Sequence, residues 1–243
     1  MKPFRVPAFA AALVLLAAAT PAAAILIGSG HPATEERNVS GYHGIGLSAP
    51  ADVEIVQGAA EGATVTADDN VVGKVETSVE DGILKIRLRD DDSLTLHTKI
   101  RVVVRAKSMD HIAVSGSGDV RAATLDTPRL KVAISGSGDV ALPALATRAL
   151  AAHVSGSGDL SAAGRAESFE AHMAGSGDVK AAHLETQSAD LHIAGSSDVA
   201  IWVKKSLDVS VAGSGDVRYY GDPDVRRSVA GSGNVKRLGA SPP

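Results

Sequence analysis

The sequence predicts an all-β protein, a parallel β-helix-like solenoid with about 18–20 residues per coil, preceded by an N-terminal β region that merges into the same core. Three observations carry that expectation. A small glycine-aspartate phrase recurs seven times at near-constant spacing, as in VSGSGDV, ISGSGDV and VAGSGNV. Apolar residues alternate with period two before and after each copy, which is strand periodicity. The 243 residues include no cysteine and only 3% aromatics, so the apolar share is built from Ala, Val, Leu and Ile. Such side chains suit thin, layered packing better than a thick aromatic core.

The chain opens MKPFRVPAFAAALVLLAAATPAAA. Lys2 and Arg5 precede an apolar run, and Ala22 and Ala24 stand as small residues before a cleavage point. Residues 1–24 therefore read as a secretory signal peptide, too short for a stable membrane span. No cysteine follows the run, so a lipid-anchored form is not indicated. Residues 25–37 read as a linker. The expected address is exported: periplasm, cell surface or secreted, with no membrane span after cleavage.

Absence of cysteine removes disulfides, metal-thiolate sites and thiol nucleophiles together. The net charge of −4 is mild and interspersed. Neither a nucleic-acid partner nor a basic membrane-surface patch is expected.

Residues 38–107 form the N-terminal β region. ADVEIVQG, ATVTAD, KVETSVEDGILKIRLR and LTLHTKIRVVVRAK read as strands, with Asp81-Gly82 as a hairpin turn. SAPADVEI echoes the later phrase, with Asp52-Val53 in the place of Asp-Val. It reads as a degenerate first coil.

Residues 108–238 hold the repeat. The acidic positions are Asp119, Asp139, Asp159, Asp178, Asp198, Asp216 and Asn234, at intervals of 20, 20, 19, 20, 18 and 18 residues. Each unit reads as strand, sharp corner, strand and a looser return containing Thr-Pro, Gly or Asp-Pro. Gly116 and Gly118, with their equivalents, allow backbone angles closed to other residues. Units of this length cannot bury an apolar face alone and must stack. A leucine-rich horseshoe has a similar period, but its L-x-x-L-x-L-x-x-N phrase is missing. In the last unit Arg227 replaces an inward Val or Leu, and Lys236, Arg237, Pro242 and Pro243 follow. Charge and proline blunt an exposed strand edge, so this is a terminal cap, followed by the tail 239–243.

GYHGIGLSAPADVEIVQG, VETSVEDGILKIRLR and the serial SGSGDV units ending in VAGSGNVKRL resemble the head GIN domain family, the auto-transporter adhesin head domains, over roughly residues 38–238. The resemblance implies an exported, right-handed parallel β-helix-like domain and brings no catalytic residues.

In a stacked coil, equivalent positions become columns. The aspartates Asp119, Asp139, Asp159, Asp178, Asp198 and Asp216 form one, and like charges at rung spacing repel. Arg121, Lys180, Arg218 and Lys236, two residues on, offset that repulsion, as does a local Asx turn at each corner. A Ca2+ row is the alternative reading of the same carboxylates. The serines beside them, Ser117 to Ser232, read as corner hydrogen bonding, because no His-acid arrangement activates any of them. His153, His172 and His192 form a second, outward column, which reads as a polar stripe or a transition-metal or pH-sensing site. Trp202 and Tyr220 share an offset on adjacent coils, with Tyr219 beside them, as a ligand platform or as cover for the apolar flank.

No cofactor is expected. The functional expectation is a non-enzymatic module of the cell envelope, binding a glycan, envelope component or protein partner through a flat lateral face, with self-association also open to it. The alternatives are a Ca2+-dependent adhesin using the Asp row and a polysaccharide-acting β-helix enzyme. The enzyme needs long loops and clustered, dissimilar carboxylates, which the repeat does not offer.

Overall fold

The structure is a computed structural model and describes residues 26–89 and 94–243. The expected signal peptide, residues 1–24, lies outside the described residues. Among those described, no helix is long and apolar enough to cross a membrane.

The N-terminal region contributes β1 (Leu26–Ile27), β2 (Pro32–Arg37), β3 (Gly44–Leu47), β4 (Ala51–Gln57), β5 (Gly62–Asp68), the single turn α1 (Asp69–Val72), β6 (Val75–Glu80), β7 (Ile83–Leu88), β8 (Leu94–Thr95) and β9 (Ile100–Ala106). β6 and β7 pair antiparallel with Glu80 opposite Ile83. Their two-residue turn has Asp81 at φ 51° and Gly82 at φ 75°, the positive angles that a type I′ hairpin requires.

Within the expected linker, the described residues 26–37 hold two strands. β2 pairs antiparallel with β5, from Pro32 opposite Asp68 to Arg37 opposite Ala63. PATEER carries little intrinsic strand signal. Its strand state comes from the partner: β5 also pairs with β9, and its other edge needs acceptors and donors that β2 supplies. An ion pair and a hydrogen bond reinforce the addition, with Arg105 Nη2 3.1 Å from Glu36 Oε2 and Arg37 Nη2 donating to the Val72 carbonyl at 2.9 Å.

The repeat region supplies β10 (His111–Gly116), β11 (Asp119–Ala122), β12 (Leu125–Gly136), β13 (Val140–Gly156), β14 (Leu160–Gly175), β15 (Val179–Gly195), β16 (Val199–Gly213), β17 (Val217–Tyr220), β18 (Asp224–Gly231) and β19 (Val235–Gly239). Their pairing is parallel, coil on coil, in a β-solenoid of about six turns. His111–Gly116 lies beside Lys131–Gly136, and Lys131–Gly136 beside Ala151–Gly156. The degenerate first coil takes its place in this stack. Asp119 and Val120 pair with Asp52 and Val53, and β10 pairs with β3.

The return between corners is not a loose connection. From β13 to β16 each coil is one strand of 15–17 residues. The unequal repeat intervals are absorbed by register shifts in that strand. Leu142-to-Leu145 faces Ala162-to-Gly164, which accounts for the 19-residue unit, and Ala181-to-Glu185 faces Ile201-Trp202 as the period falls to 18. A bulge takes up one extra residue while pairing resumes on either side.

The core runs along the axis as columns. Val120, Val140, Leu160, Val179, Val199 and Val217 are all buried. So are Ile134, Val154, Met173, Ile193 and Val211. Phe169 is the largest fully buried side chain and sits beneath Leu150. Arg227 falls in register with buried Val209 but is exposed, at the open end of the last coil.

Candidate binding faces

The corners decide what the faces can display. Gly116, Gly136 and Gly156 have φ of 106°, 125° and 120° and stack on one another. The strand therefore turns with no side chain projecting over the neighbouring coil. In the second corner column Ser197 replaces glycine; it is 1% exposed, and its Oγ donates to the Gly175 carbonyl at 3.3 Å.

The aspartate row is a hydrogen-bonded ladder between coils. Asp119 Oδ1 accepts the backbone N–H of Asp139 at 3.0 Å, Asp139 Oδ1 that of Asp159 at 2.8 Å, and Asp159 Oδ1 that of Asp178 at 2.8 Å. Asp178, Asp198 and Asp216 continue it to Asp198, Asp216 and Asn234. The expected local Asx turn is thus replaced by a bond to the next coil, where the stack brings a corner N–H to each carboxylate.

The second oxygens meet cations unevenly. Lys180 Nζ lies 2.6 Å from Asp159 Oδ2, Arg218 Nη2 lies 3.3 Å from Asp198 Oδ2 and 3.6 Å from Asp216 Oδ2, and Lys99 bridges Asp52 at 2.6 Å and Asp119 at 3.9 Å. Partial burial pushes the Asp159 carboxyl upward, but the Lys180 ammonium and the Asp178 N–H outweigh it and hold the group below its ordinary 3.8. The same bond raises Lys180. Among the described residues no group of three or more His, Asp or Glu side chains converges as a metal site.

The histidines form a column with one stacked pair. His153 and His172 have ring centroids 5.1 Å apart with planes tilted by 50°, and His172 and His192 are 4.8 Å apart with planes 8° from parallel. Carboxylates two residues earlier hold the ring edges: His172 Nε2 is 2.8 Å from Glu170 Oε1, and His192 Nε2 is 3.2 Å from Asp190 Oδ1. These acids were not among the sequence candidates, although their offset of two puts them on the same outward face. The ladder walls a shallow groove of about 490 Å³, with Ser135, Ser155, Ala174, Ala194 and Ala212 along its floor.

The aromatic trio separates. Trp202 pairs with Tyr220 across coils, and Lys204 Nζ lies 5.1 Å from the Trp202 ring centre. Trp202 Nε1 is shielded from solvent without a hydrogen-bond partner. Tyr219 is in register with core Ile201 and, half-buried, packs against the edge of the core.

A cysteine-free solenoid with glycine corners, an inter-coil aspartate ladder and continuous lateral faces defines a repeat module. The chain belongs to the family described as "Putative auto-transporter adhesin, head GIN domain", whose model matches residues 41–223. Among solved structures, a putative adhesin from Bacteroides fragilis is similar to it over 88% of this chain and 100% of that chain, with a TM-score of 0.83 and 22% identity. A putative lipid binding protein from Parabacteroides distasonis covers the same shares with a TM-score of 0.74 and 23% identity. A putative adhesin from Parabacteroides merdae gives 0.70 and 20% identity over 88% and 99%. At such identities the likeness is one of fold. None of the curated proteins matches the chain.

Proposed function

We propose that the protein is an exported, non-enzymatic module of the cell envelope that binds a glycan, envelope component or protein partner through a lateral face of the solenoid. The observation that carries this reading is the groove along the histidine ladder, a concave strip over several coils that, among the described residues, no loop crosses. Family membership and the adhesin descriptions of two of the three solved structures named above support it. A catalytic site needs dissimilar groups held at one point. Here the carboxylates of the ladder occupy equivalent positions with equivalent bonds.

The test is a binding screen of residues 25–243 against glycans and isolated envelope components, with Trp202→Ala and Tyr220→Ala as controls for the second face. Retained binding in both controls locates recognition on the histidine side. A wild-type protein that binds nothing in the screen overturns the proposal.

A Ca2+-dependent form of the same activity is separated by thermal unfolding with millimolar Ca2+ and with chelator. The midpoints are expected to coincide. One oxygen of each ladder carboxylate already accepts a backbone N–H, whereas Ca2+ takes about 6–8 oxygen ligands. A rise of several degrees with Ca2+ would restore the metal reading, because a ligand of the folded state stabilises it.

A further inference from the structure

The histidine ladder leaves a ring face bare at each end, His153 toward Ala133 and His192 toward Ser210, and only the His192 end is flanked by the Asp208–Arg226 pair. In its column His192 is followed by Ser210 and then Ser228. His172 covers one face of the His192 ring, 4.8 Å away and nearly parallel. The opposite face looks along the column over Ser210, whose side chain is too short to cover it. Asp190 Oδ1 lies 3.2 Å from Nε2 at the ring edge.

Beside this face stand groups suited to hydroxyls. Asp208 occupies the outward position two residues before Ser210, and its Oδ1 is 3.6 Å from Arg226 Nη1 on the next coil. Both side chains are solvent-accessible, at 42% and 87%. Ala194 and Ala212 keep the floor of the groove low.

Resting on the adhesin reading above, we infer that the bare face of His192 is a stacking subsite for one pyranose ring of a neutral glycan. Rungs of the solenoid repeat about every 4.8 Å, within the roughly 4.5–7 Å at which flat rings pack face to face. A sugar ring laid on His192 therefore takes the place that a fourth histidine would occupy over Ser210. Its C–H face meets the imidazole. Its rim hydroxyls donate to Asp208 and Ser210 and accept from Arg226. The carboxylates of Glu170, Asp190 and Asp208 run beside the ladder, so an acidic sugar is repelled and a neutral one is not.

The experiment uses residues 25–243 and three probes: chitotriose, maltotriose and mannotriose, each titrated to about 10 mM, which captures single-ring affinities. Histidine ring C–H signals and saturation transfer to the sugar are recorded by NMR. At least one probe is expected to bind and to shift the His192 ring signals. His192→Ala should weaken binding about tenfold or more. Ser210→His, which covers the bare face with another ring, should do the same while leaving the unfolding midpoint within a few degrees, and His153→Ala, at the far end of the column, should leave affinity unchanged. Wild-type affinity in His192→Ala or in Ser210→His overturns the subsite. If none of the probes binds but an envelope component does in the screen, the subsite is wrong and the adhesin reading stands. If nothing binds in either experiment, both fall.

Discussion

A methyl group on Gly136 would sit 2.5 Å from the carbonyl oxygen of Gly116, at a residue whose φ is 125°. Two penalties therefore act at one atom, a forbidden backbone angle and a collision with the neighbouring coil. Gly136→Ala is expected to destabilise the protein by about 3 kcal/mol or more, measured by urea unfolding. A loss below 1 kcal/mol would mean that the corners relax independently. Asp139 allows a finer comparison. Asn retains an oxygen for the Asp159 N–H, whereas Ala leaves that donor without its partner. Asp139→Ala should cost roughly 1.5–3 kcal/mol and Asp139→Asn clearly less. Equal losses would show that charge, not the hydrogen bond, matters.

At the scale of the element, the ladder ties stability to pH. The folded-state carboxyl of Asp159 is held below its ordinary value. Its contribution is therefore complete above the unfolded value and is lost as pH falls through the lower, folded one. Thermal midpoints should drop as acid is added below about pH 4, and Asp159→Asn should flatten part of that drop. An unchanged acid limb in the variant would remove Asp159 from the linkage.

Much of this element was legible in the sequence, because period and alternation translate directly into columns. Asp52-Val53 as an opening coil and Asp81-Gly82 as a turn were both readable, and the structure bears them out. The strand at 32–37 was not, since a polar edge strand owes its state to a partner far along the chain. Nor was the target of each carboxylate legible. An Asp at a corner has a local donor and a donor one coil away at equal sequence plausibility, and only stacking brings the second into line. The histidine column was legible as a column. That a ring face of His192 is bare depends on plane angles that no pattern of letters carries.

Taken whole, the molecule has two unlike ends. Antiparallel strands β2, β5 and β6 close the N-terminal end. The last coil instead exposes β18 and β19, with Val229 at 39% and Leu238 at 43% accessibility. Arg227, in register with core residue Val209, puts a charge where the core column would otherwise continue. Arg227→Val should extend the apolar interior to the surface and promote end-on association. Sedimentation velocity is expected to show concentration-dependent dimers or longer species in the variant. A variant that stays monomeric at high concentration would show that Arg226, Lys236 and Arg237 suffice to keep the end closed to other chains.

The shared register of neighbouring corners makes length a quantity counted in whole turns. Val140 lies beside Leu160 and Gly156 beside Gly175, so excising residues 140–159 would join Asp139 to Leu160 with the neighbouring rungs still aligned. The product would be shorter by one step of about 4.8 Å. Duplicating a turn would lengthen the module by the same step. The length of the solenoid can thus be set by gene-level copying of a single unit, without redesigning its walls.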